Sequence, residues 1–136
     1  MAQSETIDCQ LLVIGAGMAG MAAALFAAAR GVSTVQVGIP GEILFASGLI
    51  DLMGVHPVEK RRLWRNPWSA ISAVGKLKPN HPYARISKDN IRSALDECLQ
   101  ALKAAGLSYR HYANRNVDVL TPVGRTKRTY AVPDSM

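Results

Sequence analysis

The chain has 136 residues, a length that suits one ordinary domain and is short for a two-domain enzyme. With 49% hydrophobic and 19% charged residues, its composition is globular and excludes a disordered tail, a collagen-like repeat or a coiled-coil rod. Two cysteines, Cys9 and Cys98, lie far apart and form no Cys-x-x-Cys pair. We therefore expect no disulfide scaffold and no zinc or iron–sulfur site built within this chain.

The net charge of +6 is concentrated in one segment. Eight basic and two acidic residues fall between Val55 and Asn90, whereas the rest of the chain is neutral. The basic residues are Lys60, Arg61, Arg62, Arg65, Lys76, Lys78, Arg85 and Lys88. Beside Trp64 and Trp68, they favour an anionic partner such as a phosphate ligand, an acidic subunit or a membrane surface, rather than nucleic acid. An ordinary solvated surface is the alternative.

The stretch Leu11–Ala29 carries no charge and raises two interpretations based on membranes. A signal peptide needs a basic start, but residues 1–10 contain Glu5 and Asp8 and no lysine or arginine. A membrane helix would be interrupted by three glycines and would consist largely of alanine, which contributes little to transfer into lipid. We therefore expect neither a signal peptide nor a transmembrane helix.

A strand, a glycine turn, a helix and a second strand explain the same stretch better. The run Leu11–Ile14 is typical of a strand buried on both faces, and Gly15-Ala16-Gly17-Met18-Ala19-Gly20 follows it as a GxGxxG motif. An alanine-rich helix is predicted to about Ala29 and to end at Gly31, before a strand over Ser33–Val37. This spacing predicts a βαβ unit that binds a nucleotide or a flavin at the glycine turn; a turn that binds nothing is the alternative.

Each glycine of the motif has a predicted role. Gly15 allows the tight turn, Gly17 lets the backbone approach a phosphate, and Gly20 lets the helix pack against the strand. The usual acidic residue for a ribose hydroxyl is absent from the end of the second strand, where Glu42 is the nearest carboxylate. Three explanations stay open: Glu42 reaches back to the ribose, the backbone holds the ribose, or the ligand has no adenosine half.

The middle of the chain is less regular. Gly41–Phe45 can form a helical turn, and the pair Ser47-Gly48 indicates a close approach of the backbone to another group. Residues of about 55–86 are basic and interrupted by prolines, which predicts an insertion or short helices rather than a core element.

An amphipathic helix is predicted from Ser87, as N-cap, to about Ala105, with Gly106 as its stop. Its buried stripe is expected at Ile91, Leu95, Cys98 and Leu102, which makes Cys98 a core residue. Two strands, Val117–Leu120 and Arg128–Val132, are predicted to form a hairpin around Thr121–Gly124.

No residue pattern identifies a catalytic or metal site. His56, His81 and His111 have no ligand spacing, so we expect no metal. Tyr109, His111 and Tyr112 are candidates for proton transfer, but a surface position or packing is the favoured explanation. No nucleophile-elbow, HExxH or Walker pattern is present.

Several motifs, in order along the chain, resemble the B subunit of anaerobic glycerol-3-phosphate dehydrogenases. Besides the glycine turn, they are Phe45-Ala46-Ser47-Gly48-Leu49-Ile50-Asp51-Leu52-Met53, His81-Pro82-Tyr83 and Thr121-Pro122-Val123-Gly124. The resemblance covers the N-terminal part of that family's protein. It implies an α/β, Rossmann-like FAD/NAD(P)-binding fold that is incomplete here, so that residues 1–136 form the N-terminal part of a flavin-binding domain with a basic insertion at about 55–86.

The resemblance also implies a function. A flavoprotein of this family would oxidise glycerol 3-phosphate to dihydroxyacetone phosphate and pass electrons to quinone, with FMN as the family's cofactor and FAD compatible with the glycine turn. Its partners would be a catalytic A subunit and a membrane-anchoring iron–sulfur C subunit, which place it peripherally on the cytoplasmic side of the inner membrane. Gly15, Gly17 and Gly20 would hold phosphate and Ser47 and Gly48 would lie near the flavin; no catalytic residue can be matched.

Three further expectations follow. The chain is expected to be a partial gene product that is inactive and poorly stable alone. An NAD(P)-dependent oxidoreductase of Rossmann type is an alternative, weakened by the absent carboxylate. A non-enzymatic module that binds an anionic partner through residues 55–90 is the other alternative.

Overall fold

The structure is a computed structural model that describes residues 6–41 and 47–136. The chain divides into two compact units, Met1–Ser47 and Gly48–Met136. The helices are α1 (Met18–Ala29), α2 (Pro67–Leu77), α3 (Pro82–Arg85) and α4 (Lys88–Ala104). The strands are β1 (Leu11–Ile14), β2 (Thr34–Val37), β3 (Tyr109–His111), β4 (Val117–Leu120), β5 (Thr126–Thr129) and β6 (Ala131–Pro133).

The first unit is the predicted βαβ arrangement. β1 pairs in parallel with β2, from Leu11 opposite Thr34 to Ile14 opposite Val37, and α1 connects them. The helix ends where expected, because Gly31 adopts a φ of +75° and donates its N–H to the Ala28 carbonyl at 2.9 Å. Val32 donates to the Ala27 carbonyl at 3.1 Å, which completes a Schellman motif. The α/β, Rossmann-like fold class is therefore confirmed.

Burial in the first unit differs from the expectation. The sequence predicts that β1 is buried on both faces, but Leu12 and Ile14 are 51% and 81% exposed, and α1 contains no buried residue. Two strands and one alanine-rich helix cover little of each other's surface, because alanine side chains are short. The prediction of a fully buried β1 is wrong for this chain.

The uncharged stretch Leu11–Ala29 divides between a strand and a helix of 12 residues. Its interpretation as one continuous membrane helix is therefore wrong. None of the helices in residues 6–41 and 47–136 has both the length and the hydrophobicity to cross a bilayer.

The second unit contains the hydrophobic core. Its central cluster consists of Ile50, Trp68, Ile71, Leu99, Tyr130 and Ala131. α2 starts at Asn66, whose side chain accepts hydrogen bonds from the Trp68 and Ser69 N–H groups at 2.9 and 3.1 Å. Because Trp68, Ile71 and Val74 lie on one face of α2 and are buried, residues 67–77 belong to the core. The expectation that the basic segment 55–86 contributes no core element is wrong in this part, and its origin as an insertion stays a prediction.

The predicted amphipathic helix is α4. The Ser87 side chain accepts a hydrogen bond from the Asn90 N–H at 3.1 Å, and Gly106, with a φ of +87°, ends the helix. The predicted stripe faces the core, since Ile91, Leu95 and Leu102 pack against the central cluster. The sequence missed Leu99, which is the buried residue of α4, whereas Cys98 is only partly buried. Burial nevertheless raises the pKa of the Cys98 thiol above its ordinary value of 9.0.

The C-terminal strands pair differently from the prediction. β4 and β5 form the expected hairpin around Thr121–Gly124, but the second predicted strand is divided after Thr129. β6 pairs instead with β3, which the sequence did not reveal. The division occurs at Tyr130 and Ala131, whose N–H groups both donate to the Ile50 carbonyl at 3.0 Å and so turn the chain into the core.

Candidate functional site

The glycine turn between β1 and α1 is tied to the end of β2 by two hydrogen bonds. The Gly15 N–H donates to the Val37 carbonyl at 2.8 Å, and the Gln36 side-chain amide donates to the Gly15 carbonyl at 2.9 Å. Gly15 itself has a φ of +119°, which a residue with a side chain rarely adopts. The structure thus brings Gly15, Gly17 and Gly20 together at the start of α1, held against β2.

Gly20 is required for packing. A Cβ atom at this position would lie 2.2 Å from the Gly15 carbonyl oxygen, which is far inside van der Waals contact. The first turn of α1 therefore approaches the backbone of the glycine turn as closely as a residue without a side chain allows. This is the close helix–strand contact that the sequence predicted for Gly20.

At Gly17, by contrast, packing within the chain does not require a glycine. It is the N-cap of α1 with an ordinary φ of −76°, and a Cβ atom there would meet nothing within 4 Å. The space beside Gly17 adjoins the first N–H groups of α1, which have no carbonyl partner within the helix. A phosphate group fits these donors and the positive end of the helix dipole, so the residues present are compatible with a nucleotide or flavin cofactor.

Gly38, directly after β2, packs against the glycine turn, and the sequence did not predict this contact. It adopts a φ of +146°, and a Cβ atom would lie 3.0 Å from the Ala16 nitrogen and 3.1 Å from the Gly15 Cα. The end of β2 therefore has no room for a side chain where it passes the turn, which accounts physically for the absent carboxylate. The sequence signal that could have identified Gly38 is a glycine at the position where the motif usually has an acidic residue. Glu42 and the predicted turn through Phe45 lie outside the described residues, apart from Gly41.

Ser47 is exposed and ends the first unit, and Gly48 begins the second. Gly48 has a φ of +74°, its carbonyl accepts a hydrogen bond from the Tyr109 hydroxyl at 2.9 Å, and a Cβ atom would lie 3.4 Å from the Pro133 side chain. The backbone was expected to approach another group closely at this pair. It does so at Gly48, and the groups it approaches are Tyr109 and Pro133 of the second unit. A position of Ser47 and Gly48 beside a flavin stays a prediction.

The candidates for proton transfer have structural contacts. Burial, and secondarily the charge of Cys98, raises the pKa of Tyr109 above its ordinary value of 10.0, and its hydroxyl is bonded to Gly48. The His111 ring lies 5.4 Å from that of Tyr130, and Arg115 stacks on Tyr112 at 4.1 Å. Within the described part of the chain, no three His, Cys, Asp or Glu side chains are grouped so that they could hold a metal ion.

Comparison with known proteins agrees with this geometry. The FAD binding domain family matches residues 10–136. The B subunit of anaerobic glycerol-3-phosphate dehydrogenase from Vibrio vulnificus (strain YJ016) is 33% identical over 126 residues, which cover 91% of this chain and 28% of the relative. The protein of the same name from Yersinia pseudotuberculosis serotype I (strain IP32953) is 34% identical over 125 residues, 88% of this chain and 28% of the relative.

A third relative of that name, from Aliivibrio fischeri (strain MJ11), is 33% identical over 121 residues, 88% of this chain and 26% of its own length. The chain thus spans about a quarter of the length of the relatives it matches, as the covered shares of 26–28% show. No solved structure gives a significant match.

Proposed function

The chain belongs to the FAD binding domain family, and on this premise we propose that it binds FAD at the glycine turn as part of a glycerol-3-phosphate dehydrogenase. The observation that carries the proposal is the contrast between Gly20 and Gly17. Gly20 is glycine because α1 packs against the turn, whereas Gly17 leaves open space in front of the helix N-terminus. A ligand phosphate fits that space, beside the unpaired N–H groups of the helix N-terminus.

The identity of the flavin follows from the family match. The match names FAD, and the expectation of FMN has no support from the comparisons. With no room for a side chain at Gly38, we propose that the backbone after β2, rather than a carboxylate at that position, contacts the ribose. When bound, FAD supplies the redox chemistry; the residues of this chain hold its phosphates and orient it.

The proposal for substrate and partners rests on the relatives' shared name and on the family resemblance of the sequence. We propose glycerol 3-phosphate as substrate, quinone as final acceptor, and a complex with a catalytic A subunit and an iron–sulfur C subunit that anchors it peripherally on the cytoplasmic side of the inner membrane. Support for this part comes from the 33–34% identity to proteins named as the B subunit of such an enzyme. Ser47 and Gly48 remain the residues proposed to lie near the flavin ring.

The cofactor proposal is tested by Gly17→Ala. The added methyl group meets no protein atom within 4 Å, so we expect unchanged folding by far-ultraviolet circular dichroism. Because the methyl group occupies the space proposed for a phosphate, FAD affinity measured by quenching of flavin fluorescence should fall by about tenfold or more.

Gly75→Ala in α2 is the matched control, since its Cβ would make an ordinary contact of 3.6 Å with Ala84. It should leave FAD affinity within about twofold, because it lies outside the turn. Equal FAD affinity in Gly17→Ala and the control would contradict the proposal. Binding of NADH in place of FAD, lost in Gly17→Ala, would favour the nicotinamide alternative.

The substrate is tested separately on the protein purified with its copurifying partners. We expect glycerol 3-phosphate to bleach the visible flavin absorbance under anaerobic conditions, and glycerol or glycerol 2-phosphate to leave it unchanged. Flavin that is bound but not reduced by glycerol 3-phosphate would contradict the substrate while leaving the cofactor proposal intact.

A further inference from the structure

The most basic part of the chain forms a fixed hairpin, here called the basic hairpin, over Val55–Leu63. Val55 and Leu63 pair as an antiparallel bridge, and the His56 N–H donates to the Arg62 carbonyl at 2.9 Å. A turn closes the tip, where the Arg61 N–H donates to the Val58 carbonyl at 2.9 Å. The side chains at the tip are therefore presented on a defined backbone.

The base of the basic hairpin is anchored in the second unit. His56 is buried, and its carbonyl accepts a hydrogen bond from the Trp64 indole N–H at 2.6 Å. The Asn116 side chain, also buried, donates to the Met53 and Trp64 carbonyls at 2.9 and 3.1 Å. These bonds fix both ends of the hairpin to the second unit, so its tip has a defined position on that unit.

The basic hairpin carries exposed apolar side chains, Val58 at its tip and Leu63 at its base, together with basic ones. Val58 and Leu63 are 69% and 59% exposed, although both are aliphatic. Exposed cations occupy the same stretch of chain, Lys60, Arg61 and Arg62 in the hairpin and Arg65 two residues after it, with one carboxylate, Glu59. Within residues 6–41 and 47–136, the ion pairs Arg110–Asp134, Lys127–Asp51 and Arg128–Asp118 involve none of these four cations.

Two arginines, Arg62 in the hairpin and Arg92 in α4, stack on nearby tryptophan rings. Arg62 lies 4.1 Å from the centre of the Trp64 ring and Arg92 lies 3.9 Å from that of Trp68. Each stack occupies one face of its ring, and that face is then closed to a nucleobase, which would bind by stacking on an aromatic side chain. Arg62 is exposed, so its guanidinium group can still donate hydrogen bonds to an anion.

We propose that the basic hairpin docks this protein on the headgroups of an anionic phospholipid bilayer. Its cations would meet the negative surface, and Val58 and Leu63 would enter the boundary between headgroups and acyl chains. Charge complementarity and the two exposed aliphatic side chains together favour lipid, because a discrete phosphate ligand would use the cations without the aliphatic side chains. Docking of this kind is independent of the cofactor and the substrate.

Vesicle sedimentation with the full chain tests the proposal. We expect binding to vesicles of equal parts phosphatidylglycerol and phosphatidylcholine, weaker binding as salt rises, and much weaker binding to phosphatidylcholine alone. The variant Lys60→Gln/Arg61→Gln/Arg65→Gln, which keeps the stack of Arg62 on Trp64, should bind about 100-fold more weakly, or about fivefold per cation.

Lys76→Gln/Lys78→Gln/Arg85→Gln is the matched control, because it removes the same charge from exposed positions outside the hairpin. It should bind the anionic vesicles within about tenfold of the unmodified protein, through net charge alone. Equal loss in the two triple variants would overturn the proposal, as would equal binding to the two kinds of vesicle.

A second variant tests the aliphatic contribution. Val58→Ser/Leu63→Ser keeps every charge and should remove the binding that persists at high salt, since apolar insertion is not screened. Binding to polyglutamate but not to anionic vesicles, lost in the first triple variant, would assign the hairpin to an acidic protein surface and overturn the lipid proposal.

Discussion

The two units of this chain reach their structures by different means. In the first, β1, α1 and β2 follow one another within 30 residues, and the apolar side chains of β1 stay largely exposed. In the second, Trp68, Tyr130 and Ile50 come together from distant parts of the chain and are almost fully buried. The contrast teaches that a glycine turn and helix caps suffice to define elements, whereas the burial of a core requires contacts between distant segments.

Hydrogen bonds show the same contrast. The first unit is held by pairing of β1 with β2 and by the bond from the Gln36 side chain to the Gly15 carbonyl, 21 residues away. In the second, the Tyr83 hydroxyl donates to the Leu52 carbonyl, the Thr129 hydroxyl to the Ile50 carbonyl, and the Trp68 indole to the Ala113 carbonyl, at 2.9, 3.0 and 2.6 Å. Each of these bonds joins segments separated by 31 to 79 residues.

The largest expected effect tests whether the second unit holds most of the stability. Trp68→Ala should lower the free energy of unfolding by about 3–5 kcal/mol, because it removes a buried ring. That ring packs edge-on against Tyr130, with the two ring centres 6.0 Å apart. Ile14→Ala, at a position 81% exposed, should lower it by less than about 0.5 kcal/mol. Urea unfolding followed by circular dichroism measures both; equal losses would show that the first unit is stabilised as strongly as the second.

An intermediate effect is expected at Asn116, which holds the base of the basic hairpin. Asn116→Ala leaves the Met53 and Trp64 carbonyls without their donor and should cost about 1–3 kcal/mol. Asn90→Ala, at an exposed position of α4, is the control and should change stability by less than about 0.5 kcal/mol. A loss at Asn116 no larger than at Asn90 would mean that the hairpin is not anchored by this side chain.

The smallest effect concerns Tyr83. Tyr83→Phe should cost about 1 kcal/mol at neutral pH, because the hydroxyl loses its bond to the Leu52 carbonyl. Burial raises the pKa of Tyr83 above its ordinary value of 10.0, so the unfolded chain ionises first and stability falls as the pH rises beyond about 10.

Phenylalanine has no hydroxyl proton to lose, so its contribution to stability does not change with pH in this range. The stability difference between the unmodified protein and Tyr83→Phe should therefore narrow above pH 10, as urea midpoints at several pH values would show. Tyr112→Phe, at a half-exposed ring, is the control. A difference that stays constant with pH would contradict the role of burial at Tyr83.

Local chemistry in the sequence determined the βαβ unit, the positions of Gly15, Gly17 and Gly20, and α4 with its Ser87 cap. Each depends on residues within a few positions of one another: an apolar run before glycines, a capping side chain, or a glycine after a helix. The same local reasoning found the hairpin turn at Thr121–Gly124 and the family resemblance, because both are carried by contiguous motifs.

Tertiary structure alone decided the pairing of β3 with β6, the choice of Leu99 over Cys98 as the buried residue of α4, and the crowding at Gly38. Each depends on which distant segment lies opposite: Ala131 bonds to Ile50 and divides a predicted strand, and the glycine turn fills the space beside Gly38. A sequence pattern records which residues tend to be buried or turned, but the partner that covers a side chain or excludes it is set by contacts between segments far apart in the chain.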